Sequence, residues 1–302
     1  MVTAMQHNQL PASVQDLYPW PGQYIQVGDG HRMHYLDEGK GEPVLMVHGN
    51  PTWSFYWRDL VHGLSADYRC IVPDHIGCGL SDKPQDFEYR LANHIDNLSE
   101  LIEALDLHDI TLLVHDWGGA IGIGAALKHP DRIKRLVVFN TSVMMGPIHW
   151  SIRMCRVPLF GSTVVRGFNG FVRVGLIRAV ADRSRMKGAV GKGYLAPFDS
   201  WNNRIAQHEF VMDIPIEENH PTRKTLQEID DRLGELAHLP AMIVWGEKDF
   251  VFTTHFCDLF EQRLPQAEVH RIPDASHFVV EEAHERILPW LRDFMARHPL
   301  QA

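Results

Sequence analysis

The chain has 302 residues, 45% hydrophobic and 22% charged, with a net charge of −9. That is the profile of a globular protein: one large domain, or a core carrying an insertion. The acidic balance lacks the basic footprint of a nucleic-acid binder. The four cysteines, Cys70, Cys78, Cys155 and Cys257, are widely spaced with no CxxC pair, so neither a zinc site nor a disulfide framework is expected and a reducing cytoplasm is the simple reading.

The leader MVTAMQHNQLPASVQDLYPW has no basic start and no apolar run, unlike a secretory signal. Apolar runs such as 110–114 and 136–139 are strand-sized, far below the ~18 residues that span a bilayer. Strands are expected at 24–27, 31–37, 44–48, 69–73, 110–115, 133–139, 242–245 and 269–272. Several are apolar throughout, as in strands of a parallel sheet buried on both faces. Gly28-Asp29-Gly30 makes the first two a hairpin. Helices are expected at 92–105, 118–128, 254–264 and 283–296. Strand–helix alternation implies an α/β sheet covered on both sides. From about 142 to 222 there is no convincing strand, and Gly, Pro and Arg are frequent. The expected organisation is therefore a core of 1–141 and 222–302, with a helical cap at 142–221 that roofs the site at the strand ends.

The strongest local signal is Leu112-Leu113-Val114-His115-Asp116-Trp117-Gly118-Gly119. An apolar strand runs straight into a Gly-rich helix start, and Asp116 stands where a nucleophile elbow normally carries Ser. A helix N-terminus favours negative charge at that turn. The alternative is that Asp116 is a simple N-cap. Two other strand ends bear on that choice. Ile243-Val244-Trp245-Gly246-Glu247-Lys248-Asp249 ends in a loop with Asp249, and Ile272-Pro273-Asp274-Ala275-Ser276-His277 ends in a loop with His277. Alone, Asp249 reads as a cap and His277 as a structural histidine. Nucleophile, acid, histidine is the chain order of α/β-hydrolases, and together they read as a triad. The loop His48-Gly49-Asn50-Pro51-Thr52-Trp53 follows the third strand. It should supply one oxyanion-hole N–H, with the other from Trp117. Asn50 and Trp117 also carry side-chain N–H donors that could hold a departing anion; otherwise they shape and pack the turn. Residues 73–82, with glycines at 77 and 79, read as a structural loop.

Together HGNPTW, HDWGG, WGEKD and DASHF resemble the haloalkane dehalogenases, over nearly the whole chain. The resemblance implies an α/β-hydrolase fold, with a mostly parallel eight-stranded sheet, flanking helices and an inserted cap. It implies Asp116 as nucleophile, His277 as base, Asp249 as orienting acid, and Asn50 with Trp117 as halide site. Some members carry the acid after the sixth strand. Here that strand ends Phe139-Asn140-Thr141, which leaves Asp249, a pattern similar to the third subfamily. That subfamily lies close to the β-lactone decarboxylases of long-chain olefin biosynthesis, which residues 193–205 and 212–215 also resemble. The implied substrate is small and apolar: a haloalkane giving alcohol and halide, with a cis-β-lactone giving an olefin and CO2 as the alternative. No cofactor or metal is implied. A homo-oligomer is compatible with the sequence, which does not fix the assembly.

A carboxylate suits such chemistry because its reference pKa is about 4 and it attacks saturated carbon without a base. Epoxide hydrolases share the fold and the Asp nucleophile but hold the ring oxygen with two cap tyrosines, and only Tyr194 is found here. A Ser esterase is excluded by Asp116. A non-catalytic receptor on this fold would carry a broken triad. Between Pro147 and Ile205 stand eight Arg and two Lys against Asp182 and Asp199, a net of +8 within a chain of −9. Those arginines either face water or pair with the acidic core, or they recruit an anionic partner such as a membrane surface or an acidic enzyme.

Overall fold

The computed structural model describes residues 4–300. The apolar runs become β1 (Gln23–Val27), β2 (His31–Glu38), β3 (Pro43–Val47), β4 (Arg69–Pro73), β5 (Ile110–Asp116), β6 (Ile133–Thr141), β7 (Ala241–Gly246) and β8 (Glu268–Ile272). All eight lie at the expected positions to within two residues. β5 is buried at every residue, as a strand covered on both faces must be. They form one sheet in the order β1-β2-β4-β3-β5-β6-β7-β8. β2 is antiparallel to both its neighbours, and β3 to β8 are joined in parallel.

Helices Leu91–Ala104 and Trp117–Lys128 cover one face of the sheet, burying Ile95, Leu98 and Ile121. Helices Arg58–Leu64 and Val279–Arg297 cover the other, burying Leu60, Leu64, Ile287 and Leu291. The last helix begins four residues before the expected start. Ala283 inside it has non-helical dihedrals (φ −141°), so the expected start marks a kink. Between β6 and β7 the chain forms short helices, among them Trp150–Cys155, Gly170–Arg178, Ala189–Leu195 and Ile205–Met212, and no strand.

The strand order reverses between β3 and β5. From β3 the chain moves outward to β4, and from β5 it moves the other way to β6, β7 and β8. Loops leaving such a pair at their carboxyl ends diverge, which opens a crevice for a ligand. The loop after β3 begins at His48 and the turn after β5 is at Asp116, so both motif loops border that crevice. Close approach of the two loops demands glycine. A Cβ on Gly118 would collide with the carbonyl oxygens of Val47 and His48, and one on Gly49 with the Asp116 side chain.

Gly118→Ala must therefore push backbone apart, at a cost of about 1–3 kcal/mol. Gly234→Ala is the matched control, because its Cβ would meet nothing within 4 Å. Denaturant unfolding should show the loss in Gly118→Ala and none in Gly234→Ala. Equal stability of both variants would remove close approach as the reason for glycine at 118.

Candidate active site

Asp116 ends β5 at the N-cap of the helix Trp117–Lys128, with φ +53° and ψ −128°. A non-glycine residue with such a backbone is strained, and the strain aims its side chain away from the strand. It occupies the N-cap position but makes no side-chain cap hydrogen bond. Instead the Asn50 backbone N–H donates to Oδ1 at 2.5 Å, and the Trp117 N–H also supports the ionised carboxylate. The other oxygen, Oδ2, lies 3.7 Å from His277 Nε2. Burial raises the Asp116 pKa to about 6, against the pull of His277 and the two N–H donors. A group with that value is still roughly nine-tenths ionised at neutral pH.

On its far side His277 donates from Nδ1 to Asp249 Oδ2 at 2.9 Å. Burial alone would lower the His277 pKa, but the charge of Asp249, its hydrogen bond and the charge of Asp116 raise it overall. Asp249 is held in turn: Val251 N–H donates to Oδ1 at 2.7 Å, and Asn140 Nδ2 to Oδ2 at 3.0 Å. Asn140 also exchanges hydrogen bonds with Gly246 through both its amide atoms. His115 Nε2 is bonded to the His277 carbonyl at 2.8 Å. Glu282 accepts from Ser276 N–H beside His277 and from the N–H groups of Ala181 and Asp182 in the helical segment. Asp116, Asp249 and His277 are thus brought together, each at most 6% exposed. Asn140, His115 and Glu282 were not singled out by sequence. The only signal for Asn140 was its place at the end of β6.

Asn50 and Trp117 both line a cavity of about 340 Å³ that Asp116 and His277 also border. Its other walls are mostly apolar, among them Met144, Ile152, Phe171, Val211 and Phe252. The Asn50 side chain differs from the simplest expectation, because Nδ2 donates to the Gln207 carbonyl at 3.2 Å. An amide nitrogen carries two hydrogens, so one remains for the cavity. Tyr194 is fully buried and donates to Glu281 at 2.9 Å, away from the cavity. Among the described residues no tyrosine lines the cavity, so the pair of an epoxide site is not found there. The loop of residues 73–82 is structural, as expected. Buried Asp74 accepts from His34, from Leu80 N–H and from Ser54 N–H of the Asn50 loop. Burial opposes its charge, and His34 with these donors still brings it to about 2.

Residues 42–173 match the family model described as the α/β-hydrolase fold. The chain is 44% identical over 88% of its length to a cis-3-alkyl-4-alkyloxetan-2-one decarboxylase of Shewanella oneidensis, covering 86% of that protein. It is 43% identical to the enzyme so named in Xanthomonas campestris, over 94% of this chain and 98% of that one. It is 32% identical to haloalkane dehalogenase 2 of Mycobacterium bovis, over 90% and 93%. Among solved structures, the haloalkane dehalogenase DatA of Agrobacterium tumefaciens superposes with a TM-score of 0.81 at 26% identity, over 92% of this chain and 97% of that one.

The Asp116 titration is directly measurable by carbon-13 NMR of labelled aspartate. The carboxyl should titrate near 6, and His277→Ala should raise it further by removing a favourable charge. An ordinary aspartate value of about 4 in the wild type would contradict the buried geometry.

Proposed function

The chain is an enzyme of the α/β-hydrolase fold family, of the haloalkane dehalogenase type, and from that premise we propose that Asp116 attacks saturated carbon and that the substrate is a cis-β-lactone bearing two alkyl arms. The observation that carries the mechanism is the division of labour on one carboxylate. Oδ1 is held by the N–H of Asn50, while Oδ2 faces His277 and the cavity. The lactone reading is favoured by identity of 43–44% to named oxetanone decarboxylases, against 32% to dehalogenases.

Oδ2 attacks the ring carbon that bears oxygen, and the carbon–oxygen bond breaks. An alkyl ester forms on Asp116, and the ring carboxylate departs toward the side-chain N–H groups of Asn50 and Trp117. The bond from carbon 3 to that carboxylate then breaks. Its electron pair makes the carbon–carbon double bond, CO2 is released, and Asp116 returns as a carboxylate. No water is consumed. Inversion followed by anti elimination gives a cis alkene from a cis lactone.

A haloalkane is the second reading, supported by the Asn50–Trp117 donors and the likeness to DatA. Halide then leaves to those donors, and the ester must be hydrolysed. Neutral His277 takes a proton from water, and hydroxide attacks Cγ of Asp116. The charge grows on Oδ1, which already accepts from the Asn50 N–H, a contribution of about 3 kcal/mol per donor. Asp249 holds the His277 tautomer and stabilises the imidazolium. In this account residues 142–221 are a cap that closes the cavity over the core of 1–141 and 222–302. Asn140 and Glu282 position Asp249 and His277.

Turnover of a long-chain cis-β-lactone and of a 1-bromoalkane by one preparation separates the readings. The lactone should give cis alkene and CO2 with the larger kcat/KM. A trans alkene, or a β-hydroxy acid in its place, would overturn the lactone mechanism. With a bromoalkane, His277→Ala should stall with alkyl mass on the Asp116 peptide. A folded variant that carries no adduct yet turns over as wild type would overturn the base assignment.

Removing the Trp117 indole donor tests the leaving-group site. Trp117→Phe forfeits a charge-assisted hydrogen bond of about 1.5–3 kcal/mol, so release of the anion should slow by one to two orders of magnitude. The pH profiles of the two steps should also differ. Alkylation should fall about tenfold per pH unit below about 6, where Asp116 takes up a proton. Ester hydrolysis should rise with pH until His277 is neutral, with a midpoint below that of His277 in the free enzyme, because the Asp116 charge that helps to raise it there is absent from the ester. An unchanged Trp117→Phe rate, or superimposable profiles, would contradict these roles.

A further inference from the structure

Eight of the ten large apolar side chains exposed on the described surface lie between residues 150 and 177. Leu159 is 83% exposed, Phe168 71% and Trp150 69%. Monomeric soluble proteins seldom gather their exposed apolar groups in this way unless something binds there. The helix Gly170–Arg178 shows the pattern locally. Val172 and Leu176 face inward, while Val174 and Ile177 are exposed beside Arg173 and Arg178.

Charge follows the same boundary. From residue 142 to 181 the chain holds five arginines and no acid. Arg156 pairs with Glu217. Arg153, Arg173 and Arg178 make no salt bridge among the described residues, and all three are exposed. Elsewhere most arginines are paired, as with Arg69 to Asp37 and Arg297 to Glu268. The acidic core therefore does not neutralise this face, which leaves apolar side chains interleaved with free guanidinium groups. Proteins that lie in a bilayer interface combine these two features.

The cavity opens on the same face. Trp150, Met154, Phe160 and Val174 are exposed and also line the cavity that reaches Asp116. An apolar molecule dissolved in a bilayer could pass to Asp116 without crossing water. No helix among the described residues is long and apolar enough to cross a membrane, so attachment would be peripheral.

We propose that residues 150–178 form a docking face for an anionic phospholipid bilayer and present the mouth of the active-site cavity to it. Charge complementarity selects the lipid: three unpaired arginines attract anionic headgroups, and Leu159 and Phe168 enter beneath them.

The test is co-sedimentation with vesicles of phosphatidylglycerol and phosphatidylcholine or of phosphatidylcholine alone, at ~0.05 and ~0.5 M salt. Wild type should bind the anionic vesicles at least about tenfold more tightly than the neutral ones, and less tightly at high salt. Leu159→Glu with Phe168→Glu should abolish binding. Arg173→Glu with Arg178→Glu should remove the preference for anionic lipid. All four side chains are exposed, so unfolding midpoints should not move. Binding is read without turnover, so its failure leaves the reaction untouched. Failure of wild type to bind, equal binding of both lipids, or wild-type binding by both double variants would overturn the proposal. So would light scattering that finds an oligomer which Leu159→Glu with Phe168→Glu dissolves, with no lipid bound, because the face would then join copies of this chain.

Discussion

The Asp116 carboxylate is desolvated, strained at its own backbone, and still ionised. Burial pushes it toward the neutral acid, and only the N–H donors of Asn50 and Trp117 and the charge of His277 hold it near 6. Much of the local architecture serves that balance. The Asn50 N–H can reach Oδ1 because β3 and β5 are adjacent at the point where strand order reverses. The loops can touch because residues 49 and 118 carry no Cβ. The Asn50 loop is itself tied down by Asp74 through Ser54. Loosening any of these would let water reach the carboxylate and return it to an ordinary, better solvated and less reactive acid.

In the proposed reaction the same burial explains why the departing anion needs its own donors. In an apolar cavity an unsolvated anion is costly, and the positive groups nearby are few. The indole of Trp117 is a neutral N–H donor with no acceptor to repel an anion, and the amide of Asn50 keeps one N–H beside its tie to Gln207. A halide and a ring carboxylate make nearly the same demand on them. One site can therefore serve two reactions that differ only after the ester has formed. Whether the ester fragments or waits for water depends on the substrate carrying its own electron source, the carboxylate on the adjacent carbon.

The sheet was legible because strands covered on both faces must be apolar throughout, as 110–115 and 133–139 are, and turns between them need small residues. The Asp, Asp, His order was legible because each residue follows a strand end, where the sheet type alone dictates a site. Asn140 was not, since an amide at a strand end has many uses and its partner Asp249 is 109 residues away. The tie of Asn50 to Gln207 spans 157 residues and joins the hole loop to the helix Ile205–Met212, a contact no local pattern encodes. The early start of the last helix escaped because Val279 and Val280 pack inward with buried acids beside them, a pattern unlike an amphipathic surface helix. The excess of arginine between β6 and β7 was visible in the chain. Which arginines lack a carboxylate is a question of three-dimensional neighbours, and the structure answers it for Arg153, Arg173 and Arg178.

The central claim is that Asp116 bonds covalently to carbon and is released in a way set by the substrate. Mass measurement of the Asp116 peptide after many turnovers in oxygen-18 water tests it most directly. With a bromoalkane, hydrolysis at Cγ should place heavy oxygen in the Asp116 carboxylate. With a cis-β-lactone, fragmentation should return the carboxylate unlabelled while alkene accumulates. An unlabelled Asp116 after dehalogenation, with heavy oxygen found directly in the alcohol, would mean that water attacks the substrate itself and that no ester on Asp116 is formed.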